Sequence, residues 1–256
     1  MVNALSMLTS LEELQLGFQS PLSCPDPASR PPPPPTCFFI PILTYISFKG
    51  VSEYLDELVA RIDVPRLIKL DITFFNQVVF YTPQLIQFIS RTRTLNALEI
   101  ARVILEDGAA RVRLSSLTSG YGMLEVKIPR RELDWQILSL EQVCTSCLPP
   151  LSMLEDLHIS EEAYWQSDWQ DKIENVLWLE LLHPFAAVKN LYLSEEFARR
   201  IVPALEELVG GGTTEALPAL QIVFLEGFQP SGLVPEGTER FVAPRQVTDH
   251  PIGVAP

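Results

Sequence analysis

Apolar residues recur along this chain at offsets of 0, 3, 6 and 8, and the clearest instance is Phe185, Val188, Leu191 and Leu193. The last two alternate as a strand with one buried face requires. Ser194 follows as a helix cap, and Glu195 and Glu196 occupy a first turn where carboxylates suit the positive helix end. Phe197, Ile201, Leu205, Leu208 and Val209 then continue at helical spacing until Gly210 stops them. One strand and one helix cannot bury two apolar faces alone, so the unit predicts neighbours of its own kind.

Those neighbours are present. Leu8, Leu11, Leu14 and Leu16 fit the pattern, as do Ile40, Leu43, Ile46 and Phe48, then Val64, Leu67, Leu70 and Ile72. Thr92, Leu95, Leu98 and Ile100 lack only the first apolar position, and Tyr121, Leu124 and Val126 form a degenerate copy that Ile128 extends. Leu151, Leu154, Leu157 and Ile159 are a full match, and Leu217, Leu220, Val223 and Leu225 close the series. Helical returns are predicted from Val51 to Ile62 behind a Gly50 or Ser52 start signal, and from Tyr81 to Ser90 with Pro83 in the first turn. Two more run from Leu133 to Leu148, ending against Pro149, and from Ile173 to His183, ending before Pro184. The fold class expected is therefore α/β. It is an irregular leucine-rich-repeat-like solenoid over residues 1–230, with parallel strands on a concave face and helices on a convex one.

Two segments fall outside the pattern. Residues 19–36 hold Pro21, Pro25, Pro27 and the run Pro31 to Pro35, and read as a disordered, extended insertion. The tail, 231–256, carries Pro235, Pro244, Pro251 and Pro256 and is expected to be loose, with Phe241 and Val242 as the residues able to dock as a cap. At the other end Leu5, Leu8, Leu11 and Leu14 begin almost at Met1 without a polar cap. The first repeat is thus expected to be covered by a partner or by an upstream domain.

Composition removes several functions. The formal net charge is −13, with 32 acidic against 19 basic residues, which opposes phosphate neutralisation and so a nucleic-acid partner. The longest apolar run, Cys37 to Phe48, contains Pro41 and is too short to span a bilayer. Four cysteines (Cys24, Cys37, Cys144 and Cys147) are too few for a disulfide framework in a chain of 256 residues, and the expected location is intracellular, cytoplasmic or nuclear.

A Leu-x-x-Leu-x-Leu strand followed by a helical return resembles the leucine-rich-repeat family, without that family's usual Asn after the strand. More narrowly, GVSEYLDELVARIDVPRL (50–67), LDWQILSLEQVC (133–144) and WLELLHPFAAVKNLYLSEEFARRIVPALEELVG (178–210) resemble the recognition region of fungal F-box-like proteins. That resemblance covers nearly all of the chain from Leu5 to about Val247. It implies a substrate receptor of a cullin-type ubiquitin ligase, whose repeats hold the substrate. A Skp-type adaptor would be held only by an F-box supplied upstream, and before Leu5 there is no room for its helices.

Chemistry-bearing residues are few. Cys144-Thr145-Ser146-Cys147 has the spacing of a redox pair or half a zinc site, but it ends a predicted helix instead of starting one, and no second Cys pair accompanies it. Packed thiols are the plainer reading, and a metal- or thiol-dependent enzyme using Cys144 and Cys147 is the rival. A truncated structural remnant without a partner is the other. Glu161-Glu162, Glu195-Glu196 and Glu206-Glu207 read as solvated helix ends, since adjacent helical residues share no face. Gly210-Gly211-Gly212-Thr213-Thr214 lacks the Lys of a phosphate loop. No Ser-His-Asp or Cys-His signature surrounds the three histidines. No enzyme and no cofactor are expected.

The sequence instead points to a binding face. If Leu14 and Leu16 face inward, Gln15 faces outward, and the equivalents are Ser47, Asp71, Glu99, Glu125, His158, Tyr192 and Phe224. This row grades from acidic at Asp71, Glu99 and Glu125 to aromatic at His158, Tyr192 and Phe224. It predicts a protein partner, a basic one if the acids select it. The competing register buries Phe224 and turns Val223 outward. Trp165 and Trp169 share a helix face and form a secondary candidate, either for a partner or for packing on the next repeat.

Overall fold

The computed structural model describes residues 10–19, 37–75, 77, 79–80, 82–117, 122–149, 151, 153–161, 173–210, 216–226 and 253–255. In chain order the elements are β1 (Glu13–Gly17), β2 (Phe38–Phe39), β3 (Tyr45–Gly50), α1 (Ser52–Val59), β4 (Ile62–Asp63), β5 (Lys69–Phe74) and α2 (Pro83–Arg91). Next come β6 (Ile100–Glu106), β7 (Ala109–Ser115), β8 (Met123–Ile128), α3 (Leu133–Ser146), β9 (Asp156–Glu161) and α4 (Asn175–Leu182). Last are β10 (Asn190–Ser194), α5 (Glu195–Gly210), β11 (Ile222–Glu226) and β12 (Gly253–Ala255). The class is α/β, with largely parallel strands. Two compact units share the chain. The first holds Met1–Leu98, Arg113–Pro129 and Gln142–Pro149, and the second Glu99–Val112, Arg130–Glu141 and Pro150–Pro256.

In the first unit β1, β3, β5 and β8 pair in that order, all parallel. Leu14, Ile46, Leu70 and Leu124 stand side by side in one row, and Leu16, Phe48, Ile72 and Val126 in the next. In the second unit β6, β9, β10, β11 and β12 are parallel neighbours. Ala101, Leu157, Leu191 and Val223 share one row, and Val103, Ile159, Leu193 and Leu225 the next. Apart from the half-buried Leu16 these residues are buried, and α5 packs against β9, β10 and β11.

Offsets 0 and 3 do something different. Leu67 N–H donates to Val64 O, Leu95 to Thr92, Leu154 to Leu151, Val188 to Phe185 and Leu220 to Leu217, at 2.9–3.2 Å. Each pair closes a four-residue turn whose two ends are buried, and that turn delivers the chain into its strand. Leu217 takes a positive φ of 58° to do so, a conformation that is rare for a residue with a side chain.

Several expectations are corrected. The turn at Thr92–Leu95 forms, but its strand starts later: Ala101 and Val103, not Leu98 and Ile100, occupy the inward rows. β6 then runs through Asp107–Gly108 straight into β7, an arrangement open only to antiparallel neighbours. Gly108 adopts φ 77°, cheap only for glycine. The helix expected to reach Ile62 ends at Val59, because Ile62–Asp63 pairs with Phe38–Phe39 as a separate two-stranded sheet. Ser194 is the last residue of β10, and its buried hydroxyl has no hydrogen-bond partner among the described residues, so it caps nothing. Pro203 lies inside α5. It forfeits about 3 kcal/mol of helix stability, which the burial of Phe197, Ile201 and Leu205 exceeds at about 1.5–3 kcal/mol each. In the tail, β12 pairs with β11, while Phe241, Val242 and the run Pro31 to Pro35 lie outside the described residues.

Helix ends in the first unit are satisfied by side chains from elsewhere in the chain. Neither Val51 nor Thr82, the residues preceding α1 and α2, makes a side-chain cap. Instead Gln77 Oε1 accepts from Ser52 N–H at 3.0 Å, and Asp56 Oδ1, on α1, accepts from Gln84 and Leu85 N–H at the start of α2, at 2.8 and 3.1 Å. In return Arg91, in the last turn of α2, donates to Val59 O and Ile62 O behind α1, at 2.8 and 2.7 Å. Asp56 is buried, so its loss strands the buried Leu85 N–H and takes the acceptor from the half-buried Gln84 N–H. Replacing Asp56 by Ala is expected to lower stability by about 1–2 kcal/mol in urea unfolding, with Asp56→Asn, which keeps an acceptor, recovering part of that. Equal losses for the two variants would contradict the capping role.

Candidate functional site

A strand with one buried face leaves every second residue on the other, and the register decides which of these become neighbours. In the first unit the outward row is Gln15, Ser47, Asp71 and Glu125. In the second it is Arg102, His158, Tyr192 and Phe224. Seven of the eight sequence-expected members therefore sit at row positions within their own units. Glu99 is the exception. It precedes β6, so Arg102 takes its place, for the same three-residue displacement that moved the inward rows. Val223 is 1% exposed, which fixes Phe224 as the outward residue. Trp165 and Trp169 lie outside the described residues.

The acidic side chains of the first row do not stand alone. Lys69 Nζ lies 2.8 Å from Asp71 Oδ2, and Tyr45 Oη donates to the same oxygen at 2.9 Å. The Lys69 ammonium also lies 5.1 Å from the Tyr45 ring centre. The hydrogen bond to Asp71 raises the Lys69 pKa, while partial burial, with that same carboxylate, raises the Tyr45 pKa. Glu125 Oε2 accepts from Arg113 through both Nε and Nη2 at 2.6 Å. Each carboxylate is thus met by one base, and the row has little negative charge left with which to select a cation. Lys69 and Arg113 were missed in the sequence. Lys69 is two residues before Asp71 on the same strand face, a signal that alternation alone could have supplied.

The aromatic row is assembled ring on ring. His158 and Tyr192 are stacked with centroids 4.1 Å apart and planes 6° apart, and Tyr192 and Phe224 are stacked at 4.4 Å and 7°. Parallel register places three flat side chains at one strand spacing from one another, close to the thickness of a stacked ring pair. All three are half-buried, and Arg102 beside them is exposed. In the neighbouring row Asn190 Nδ2 donates to Asp156 Oδ1 at 2.8 Å.

Cys144 and Cys147 are buried free thiols in the first unit. Burial pushes the Cys147 pKa up to about 12, with Thr82 opposing the shift and Asp56 adding to it. A thiol held neutral in this way is the reverse of an activated nucleophile. Among the described residues no group of three or more His, Cys, Asp or Glu is arranged to hold a metal ion. No helix of the described residues is long and apolar enough to cross a membrane. No protein-family model matches the chain, and neither curated proteins nor solved structures give a significant match to it.

The Cys147 thiol gives a pH dependence with a definite sign. An unfolded thiol titrates near 9.0 and the folded one at about 12, so the folded state keeps a proton that the unfolded state releases. The resulting stability is full below about pH 9 and drains away as pH rises toward 12. In a Cys24→Ser background, Cys37 is expected to react with an aromatic disulfide reagent at mildly alkaline pH, and Cys144 and Cys147 only after denaturant is added. Rapid labelling of Cys147 in the folded protein would contradict its burial.

Proposed function

We propose that the chain is a protein-recognition module of the leucine-rich-repeat-like solenoid kind, whose strands carry the recognition side chains and whose helices serve as the returns between them. The observation that carries this reading is the stacked row of His158, Tyr192 and Phe224 on the outward face of a parallel sheet. Aromatic side chains held half-exposed and in fixed orientation supply contact area at small ordering cost, as the anchors of protein interfaces do. The burial of Cys144 and Cys147 favours binding over thiol or metal chemistry.

The resemblance to fungal F-box-like proteins extends the proposal to ubiquitin ligation. The outward rows would hold the protein to be modified, and an F-box placed upstream in a longer chain would hold a Skp-type adaptor. An intracellular location accompanies it.

The test compares the wild-type chain with a Tyr192→Ala/Phe224→Ala double variant in cells, by proximity labelling and pull-down. Far-UV circular dichroism and a urea midpoint close to that of wild type establish that the variant is folded. Proteins captured by wild type are expected to be lost from the variant. An unchanged captured set would show that this face is not the recognition surface.

A further inference from the structure

The aromatic row restricts the chemistry of what can dock on it. Both faces of Tyr192 are covered, one by His158 and the other by Phe224, at 4.1 and 4.4 Å. A sugar ring or a base therefore has no face of Tyr192 to stack on. What the middle of the row offers is ring edge, where the hydrogens carry the positive end of the quadrupole. Directly beside the stack, in register with His158, is Arg102. It is exposed, and among the described residues no ion pair or hydrogen bond holds its guanidinium. The first unit differs, because there Asp71 and Glu125 are already held by Lys69 and Arg113.

Resting on the protein-recognition reading above, we infer that the outward face of the second unit receives an acidic peptide segment, and not the basic one that the acidic row alone would suggest. Arg102 takes a carboxylate of the partner in a forked pair, and the edges of Tyr192 and Phe224 take an apolar side chain. Strands lie about 4.8 Å apart, so Arg102 and Tyr192, two strands from each other, are separated by about 10 Å. An extended peptide advances about 3.3 Å per residue. The recognised segment therefore places its carboxylate about three residues from its apolar anchor. Asp156 lies one row away, where Asn190 donates to one of its oxygens, whereas Arg102 is the charged residue in register with the stack. The formal charge of −13 repels such a segment at long range, but salt screens that repulsion beyond about 8 Å. The short-range pair with Arg102 then decides the sign.

The experiment is selection from a random-peptide display library on the purified full chain, with counter-selection on the Tyr192→Ala/Phe224→Ala variant so that only peptides needing those rings are kept. The enriched peptides are expected to be acidic, with a carboxylate about three residues from an aliphatic or aromatic side chain. In fluorescence anisotropy, Arg102→Glu is expected to weaken the best of them by roughly tenfold or more, and Arg102→Ala by less. Enriched peptides that are basic or carry no charge bias would overturn the inference while leaving the recognition face intact, as would an affinity that Arg102→Glu leaves unchanged. If no enriched peptide depends on Tyr192 and Phe224, the face itself is not a recognition surface and both proposals fall.

Discussion

Five repeats close the same hydrogen-bonded turn ahead of their strands, and the regularity of the parallel strands depends on it. The N–H at offset 3 reaches the carbonyl at offset 0, both side chains point into the core, and the strand that follows begins at a fixed distance from the turn. A parallel strand has no tight connection to its neighbour that could set its register. Here the register is set locally instead, by a turn anchored at each end with an apolar side chain. The copy at Thr92 shows what happens when the anchor weakens. The turn closes, but Leu98 stays half-buried, and the strand starts three residues late and leads into the β6–β7 hairpin.

A second constraint ties the returns together. In the first unit the donors at the starts of α1 and α2 are satisfied by Gln77 and Asp56, and the carbonyls behind α1 by Arg91. Each of these helix ends thus depends on a residue outside its own helix. Hydrogen bonds of this kind contribute only about 1 kcal/mol net when made, yet leaving a buried partner unsatisfied costs more. The elements of this unit are therefore expected to be gained and lost together.

Much of this was legible in the sequence, for a physical reason. Offsets 6 and 8 are two steps of a strand and offsets 0 and 3 are the ends of a turn, so one apolar pattern encodes both, and Leu14, Ile46, Leu70 and Leu124 fall into one row as it requires. The outward row follows by parity, which is why Tyr192 and Phe224 could be named. What was not legible required partners far apart in the chain. Nothing near Glu125 in a period-two reading says that Arg113, on another strand, neutralises it. The β6–β7 hairpin carries its own signal, Asp107-Gly108 between two alternating runs, which a pattern of parallel repeats does not contain. Helix ends misled for a similar reason. Ile62 sits at helical spacing from Leu58 and Val59, but its backbone is claimed by Phe38, 24 residues earlier in the chain.

The ring stack has one more consequence, concerning entropy. A side chain at an interface must usually give up its rotamers when the partner arrives, at about 0.5–1.5 kcal/mol each. Tyr192 has already surrendered its freedom to His158 and Phe224 through folding, and it restricts theirs in turn. The three rings thus behave as one rigid plate, ordered before any encounter. Removing the middle ring releases both outer ones, so the effect of losing Tyr192 cannot be assigned to Tyr192 alone, and changes along the row will not add.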